Sequence, residues 1–282
     1  MNLSKLFYGM VALSLIMTSG CATRHDVTFG ILQSQPHPVR KTITFDELIQ
    51  SVHAKNSQVE RFKADLKLTF TDTIRSKGKT VHCDGKIALE KPDKLRLYGS
   101  QPLSGKIFDI ISNSERFYIY SPKEGRVLTG SSKQPLDSLE PATKIRPNDV
   151  MHAFLLYDIK EMCERYVCFF VHEDASYVLY FLEETNGTYS LAKRVWVDDD
   201  MFEITRHQTF DHSGELDLDV KITDFFIFPE YGYFPKRMEI ESPYRQLQLI
   251  MEFSKIELNP ALNHNVFTFT ISENIQVIEM DR

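Results

Sequence analysis

The side chains best equipped for covalent chemistry in this sequence are its four cysteines, Cys21, Cys83, Cys163 and Cys168. A thiolate can act as nucleophile, metal ligand or half of a disulfide. Cys163 and Cys168 are five positions apart and could close a small loop. The alternative is that Cys83, Cys163 and Cys168 are simply small buried hydrophobes. Beyond Cys21 the count is odd, so at least one thiol has no intramolecular partner. The nine histidines are scattered, with no pair at metal-ligand spacing in one element. His207 and His212 flank an expected hairpin and read as part of a solvated turn. Asp198, Asp199 and Asp200 lack the glycine and distal glutamate of a calcium loop and read as a hairpin tip. There is no Gly-x-Ser-x-Gly elbow, phosphate-cradling glycine loop or His-Glu-x-x-His helix. The sequence therefore predicts no catalytic residues, no metal and no cofactor, and the protein is expected not to be an enzyme.

Cys21 has a context of its own. Lys5 is followed by an apolar run from Leu6 to Met17 and then by Thr18-Ser19-Gly20-Cys21. That run is shorter than the roughly 20 apolar residues that span a bilayer core. A cation, a short apolar core and small residues at a cut describe an export signal. The segment resembles the bacterial lipoprotein signal, in which the cysteine is acylated and becomes the first residue. The expected organisation is a signal peptide over 1–20, an acylated tether over 21–42 and a folded domain over 43–282. Two or more acyl chains on Cys21 make attachment to a membrane stable. About twenty flexible residues reach on the order of 25 Å. Ala22 stands where Asp would mark inner-membrane retention in that signal class, which implies the periplasmic face of the outer membrane. Export implies an oxidising compartment. The net charge of −6 argues against a nucleic-acid partner.

The elements that follow are mostly strands. Thr44 and Glu47 have capping-box spacing, and Phe45, Leu48, Ile49 and Val52 form a helical apolar stripe. From Phe62 to Phe70 the period becomes two, with Phe62, Ala64, Leu66, Leu68 and Phe70 on one face. Val81, Cys83, Ile87 and Leu89 continue the alternation, and Lys91-Pro92-Asp93 turns the chain. Pro135, Pro141 and Pro147 interrupt the rhythm, and Asn148 is expected to cap a short helix reaching Tyr157. Strands resume from about residue 165 and end with a short one over 266–270. Helices interrupt the strands at only two points. The expected fold class is mainly β (α+β): one curled antiparallel sheet of about 11 strands with two or three helices on one face.

Two stretches carry a family resemblance. Residues Lys91 to Lys106, with Arg96, Leu97 and the turn Pro102-Leu103-Ser104-Gly105, are similar to the LolB lipoprotein receptors. The segments Phe234 to Ile240, Leu247 to Phe253 and Asn265-Val266-Phe267 are similar to the wider LolA/LolB-like superfamily. Ser104 departs from the Pro-Leu-Gly turn of that family, and the chain is longer than its typical members. The resemblance implies a half-barrel with helices as a lid over an apolar cavity that holds lipoprotein or lipid acyl chains. A soluble periplasmic carrier protein is then the expected partner. The resemblance makes Leu103 a membrane or acyl contact, the alternative being a hairpin leucine folded back on the core. Leu66, Leu68, Ile87, Leu89, Leu95 and Leu97 become candidate cavity walls. Two other readings share the fold: an envelope-stress module that senses lipoproteins through a partner protein, and a structural lipoprotein with a packed barrel.

Overall fold

The computed structural model describes residues 43–72, 80–113, 115–131, 147–154, 159–270 and 275–280. Helix α1 (Phe45–Asn56) opens this part of the chain. The Thr44 hydroxyl accepts from the Glu47 backbone N–H, and the Glu47 carboxylate accepts from the Thr44 N–H at 2.8 Å. Both halves of the expected capping box are thus in place.

The strands are β1 (Arg61–Asp72), β2 (Thr80–Glu90), β3 (Lys94–Gln101), β4 (Gly105–Ser112), β5 (Arg116–Ser121) and β6 (Arg126–Ser131), followed by β7 (Val167–Glu173), β8 (Ser176–Thr185), β9 (Thr188–Asp198) and β10 (Ile204–Phe210). The last four are β11 (Leu216–Phe228), β12 (Gly232–Ser242), β13 (Leu247–Leu258) and β14 (Gln276–Glu279). All lie in one unclosed sheet, in the order β14-β6-β5-β4-β3-β2-β1-β13-β12-β11-β10-β9-β8-β7. The sheet has 14 strands where about 11 were expected. Stretches 115–121 and 125–130 read as strands and form β5 and β6, whereas the four-residue β14 is too short for alternation to mark it. Neighbours pair antiparallel, except that β14 runs parallel to β6. The strand expected over 266–270 is also corrected. His264–Phe267 forms a 3-10 turn, because the Asn263 side chain accepts from the Asn265 N–H and fixes a local turn.

Helix α2 (Pro147–Ala153) begins at the proline, one residue before the expected cap, with Pro147 in the first-turn position that tolerates its missing N–H. Helix α3 (Ile159–Arg165) has no counterpart in the expectation, which began a strand at about the position where α3 ends.

Alternation sorts the sheet into two faces. One face carries Leu68, Cys83 and Met251 in one cross-strand row and Leu66, Gly85, Gly99 and Phe253 in the next. Its apolar residues form two clusters. One spans β1–β6 and β11–β13 together with Val150, Met151 and Ala153 of α2. The other joins Leu48, Ile49 and Val52 of α1 and Ile159 and Met162 of α3 to Leu179, Phe181, Val195 and Val197. The helices thus cover the apolar face, and the opposite face is largely polar over β1–β4.

Two glycines set how closely the first cluster packs. A Cβ on Gly99 would lie 2.3 Å from the Phe108 ring, and one on Gly85 would lie 2.7 Å from Leu68. Phe108 is itself almost fully buried and edge-on to Phe70, so it has little room to yield. Gly99→Ala should therefore lower the free energy of unfolding by about 1–3 kcal/mol. Urea titration checks this: the midpoint should fall with the slope unchanged.

Candidate functional site

The site is built from the cover over the apolar face. Helix α2 has seven residues, too few to be stable alone. It is fixed at both ends. At its start the Asp149 carboxylate accepts from the Arg245 guanidinium, which also donates to Asp217 at 3.1 Å. Asp149 and Arg245 are both buried, so the pair is strongly coupled to the helix position. At its end the Ala153 carbonyl accepts from His207 Nε2 at 3.2 Å.

His207 does not lie in a solvated turn, as expected from sequence. It pairs with Val195 and Val220 in mid-sheet and is fully buried on the apolar face. Burial, with Lys193 nearby and against the Ala153 hydrogen bond, lowers its pKa from 6.5 to about 4. His212 is the exposed member of the couple and contacts Glu183 at 3.3 Å. Lys193 is half-buried, and desolvation, with the charge of Arg165, lowers its pKa to about 8.

After α2 comes Phe154, whose ring centroid lies 4.9 Å from that of Phe62 and 5.8 Å from that of Phe253. This ring plugs the space beside α2. What remains is a cavity of about 90 Å³ bounded by Phe154, Phe62, Leu89, Ile204, Met238 and Phe234. Lys55 stands at its margin and donates to Glu203 at 3.0 Å. The volume is below the roughly 150 Å³ of an engineered cavity that admits benzene. The apolar space implied by the resemblance is thus filled by the protein's own side chains.

The second part of the site is a turn. Pro102, Leu103 and Ser104 join β3 to β4, and Gly105 follows at φ +67°. A three-residue loop closed by a residue in the left-handed region is a common hairpin. Leu103 is fully exposed at its tip. The β12–β13 hairpin leaves the same end of the sheet, because β12 and β3 run in the same direction, and its Tyr244 is 80% exposed. At the base of the Leu103 hairpin the buried Asp109 carboxylate accepts two hydrogen bonds from Arg96, at 3.1 and 2.9 Å, and one from Lys106 at 2.6 Å. Arg96 also donates to the Val266 carbonyl at 3.0 Å, and Phe269 stacks on Tyr118 with ring centroids 5.5 Å apart. The hairpin is thereby tied to the segment that crosses the polar face.

The residues singled out from sequence fall in three places. Leu66, Leu68, Ile87, Leu89, Leu95 and Leu97 are all buried in the first apolar cluster, and of these Leu89 borders the cavity. Leu103 stands apart from them at the hairpin tip, and Cys21 lies outside the described residues. The acidic run forms a turn in which Asp198 Oδ1 accepts from the N–H groups of Asp200 and Met201. Among the described residues no three His, Cys, Asp or Glu side chains gather to hold a metal ion. Sequence reasoning missed Asp149, Phe154, His207 and Arg245. Phe154 stood in an expected helix, but no local pattern joins Asp149 to a partner 96 positions away.

The fold is that of the LolA-like proteins: a large curled, unclosed sheet with few helices on one face. Among solved structures it is similar to a LolA superfamily protein from Nitrosomonas europaea (12% identity, TM-score 0.52, covering 81% of this chain and 99% of that one). It is similar also to a domain from Vibrio parahaemolyticus provisionally assigned to outer membrane lipoprotein sorting (13%, 0.54, 78% and 95%). A third is a DUF1329 family protein from Desulfovibrio piger (13%, 0.57, 80% and 98%). No family model matches the chain, and no curated protein matches it in sequence.

The buried imidazole carries a pH signature. With a folded pKa of about 4 against 6.5 unfolded, the unfolded chain binds more protons between those values. Stability should therefore fall as pH drops from 6.5 to 4, by on the order of 3 kcal/mol from this group. His207→Gln keeps an amide donor for Ala153 and removes the titration. Chemical unfolding of both proteins across that range should show a shallower pH slope in the variant.

Proposed function

We propose that this protein is a membrane-anchored lipoprotein that binds acyl chains noncovalently and takes part in lipoprotein or lipid transfer at the outer membrane, without catalysing a covalent step. The observation that carries the reading is the fully exposed Leu103 on a tightly built hairpin. A leucine held in water forgoes roughly 1.5–3 kcal/mol that burial would supply. Entry into lipid would recover it. The exposed Tyr244 at the same end suits a bilayer interface, where its ring can lie in lipid and its hydroxyl in water. The LolA-like fold and an apolar face under helices support the same reading.

In this account Cys21 is the anchor, residues 21–42 are the tether, and a soluble periplasmic carrier would hand over cargo. The 90 Å³ cavity cannot hold a long acyl chain while Phe154 and α2 are seated. Binding therefore displaces them. Each methylene buried contributes about 0.8 kcal/mol, so a long chain could offset the contacts that Phe154 gives up. The tight packing also favours a second reading, an envelope lipoprotein whose packed barrel carries no ligand. The two readings part on whether α2 moves.

The hairpin leucine gives the direct test. Cys21→Ser removes the lipid anchor, so that vesicle binding reports the folded domain alone. In that background Leu103→Glu should weaken flotation with phospholipid vesicles by at least about tenfold. Unchanged flotation would remove Leu103, and with it the membrane-contact reading.

A further inference from the structure

Cys163 and Cys168 are not used by the proposed function. Cys163 lies in the last turn of α3, and Cys168 is the second residue of β7. The reversal between them is tight. The Tyr166 N–H donates to the Met162 carbonyl at 2.9 Å, and Cys168 Sγ donates to the Tyr166 carbonyl at 3.4 Å. This arrangement turns both side chains into the second apolar cluster, where each packs at its edge and is half-buried. The two cysteines thus flank one tight reversal and pack against the same cluster. Cys83 differs: it is buried in the first cluster, and burial with the nearby Asp84 pushes its thiol up to about 12.

We propose that Cys163 and Cys168 are an oxidation site, taking an external disulfide as co-reactant and closing an intramolecular disulfide that staples the end of α3 to the edge strand β7. The step balances as two thiol–disulfide exchanges. The Cys163 thiolate attacks one sulfur of the external disulfide, breaking its S–S bond, forming a mixed disulfide and releasing one thiol. Cys168, having lost its proton to water, then attacks Cys163 Sγ and displaces the second thiol. Two protein thiols are oxidised and one external disulfide is reduced to two thiols. The Cys168 thiol donates its proton to the Tyr166 carbonyl, and the neighbouring Cys163 sulfur together with burial holds it above its ordinary range, so the first attack is assigned to Cys163.

The staple would tie down the layer formed by α1 and α3. Helix α1 packs on α3 through the second cluster, and α3 packs on β7 and β8. The disulfide crosses from that layer to β7, which among the described residues is an outermost strand of the sheet. The inference does not rest on acyl binding and stands or falls separately.

Peptide mapping tests it on the full chain. The reduced protein is incubated with oxidised glutathione at pH 8, remaining thiols are alkylated, and the chain is digested with trypsin without reduction. Cleavage after Lys160, Arg165 and Lys193 separates the two cysteines onto peptides 161–165 and 166–193. The proposal predicts that these peptides are recovered joined, with Cys83 alkylated. In Cys163→Ser no joined peptide should form, and Cys168 should carry glutathione or remain free. Two separate alkylated peptides from the wild-type chain would overturn the proposal. So would joined peptides found only in covalent dimers, or Cys83 replacing either partner.

Discussion

An unclosed sheet with one apolar face must have that face covered, and the way this protein does so constrains the rest of its structure. The face spans strands from both halves of the chain and carries two apolar clusters. Helices α1 and α3 cover one part through their own apolar stripes. The other part is covered by α2 and Phe154, and a helix of seven residues cannot hold itself there. Its position depends on Asp149 and Arg245 at one end and on His207 at the other. Loss of one partner of a buried ion pair leaves an uncompensated charge, a cost of about 3–5 kcal/mol. The cover is thus held by polar contacts at its two ends and by Val150, Met151 and Ala153 packed on the apolar floor between them.

The polar face and the hairpin end follow from the same constraint. With the helices on one side, the chain after β13 crosses the other side, held by Arg96 and Phe269, before β14 joins the edge at β6. Arg96 and Lys106 meet at Asp109, so the hairpin that carries Leu103 has a rigid base. An exposed leucine on a rigid base can be presented to a surface with little loss of conformational freedom. The anchor proposed at Cys21 and the leucine would then act on the same membrane.

Much of this was legible in the sequence, for physical reasons. Period-two alternation from Phe62 to Phe70 gave β1 its buried face, and Thr44 with Glu47 gave α1 its start. The resemblance marked Leu103 as a residue to watch, and exposure at the tip decides against a leucine folded back on the core. The features that govern the cover were not legible. Asp149 and Arg245 meet only when β12 and β13 bring residue 245 over α2, and His207 reads as a turn residue until the register of β10 places it in mid-sheet. Alternation also cannot say whether an apolar face lines a cavity or is filled. Here Phe154 fills it, and nothing in its local sequence separates a plug from an ordinary helix residue. The four-residue strand β14 was not legible because its signal is brief.

The central claim is that the apolar face accepts an acyl chain by displacing α2 and Phe154. Hydrogen–deuterium exchange with and without a long-chain fatty acid measures this directly, read on peptides covering 147–154 and compared with those of β1 and β13. The account predicts that the fatty acid binds, that exchange over 147–154 rises as the helix leaves its seat, and that the strands beneath stay protected. Binding with 147–154 still protected, or no binding while the helix remains seated, would contradict it and leave a packed barrel.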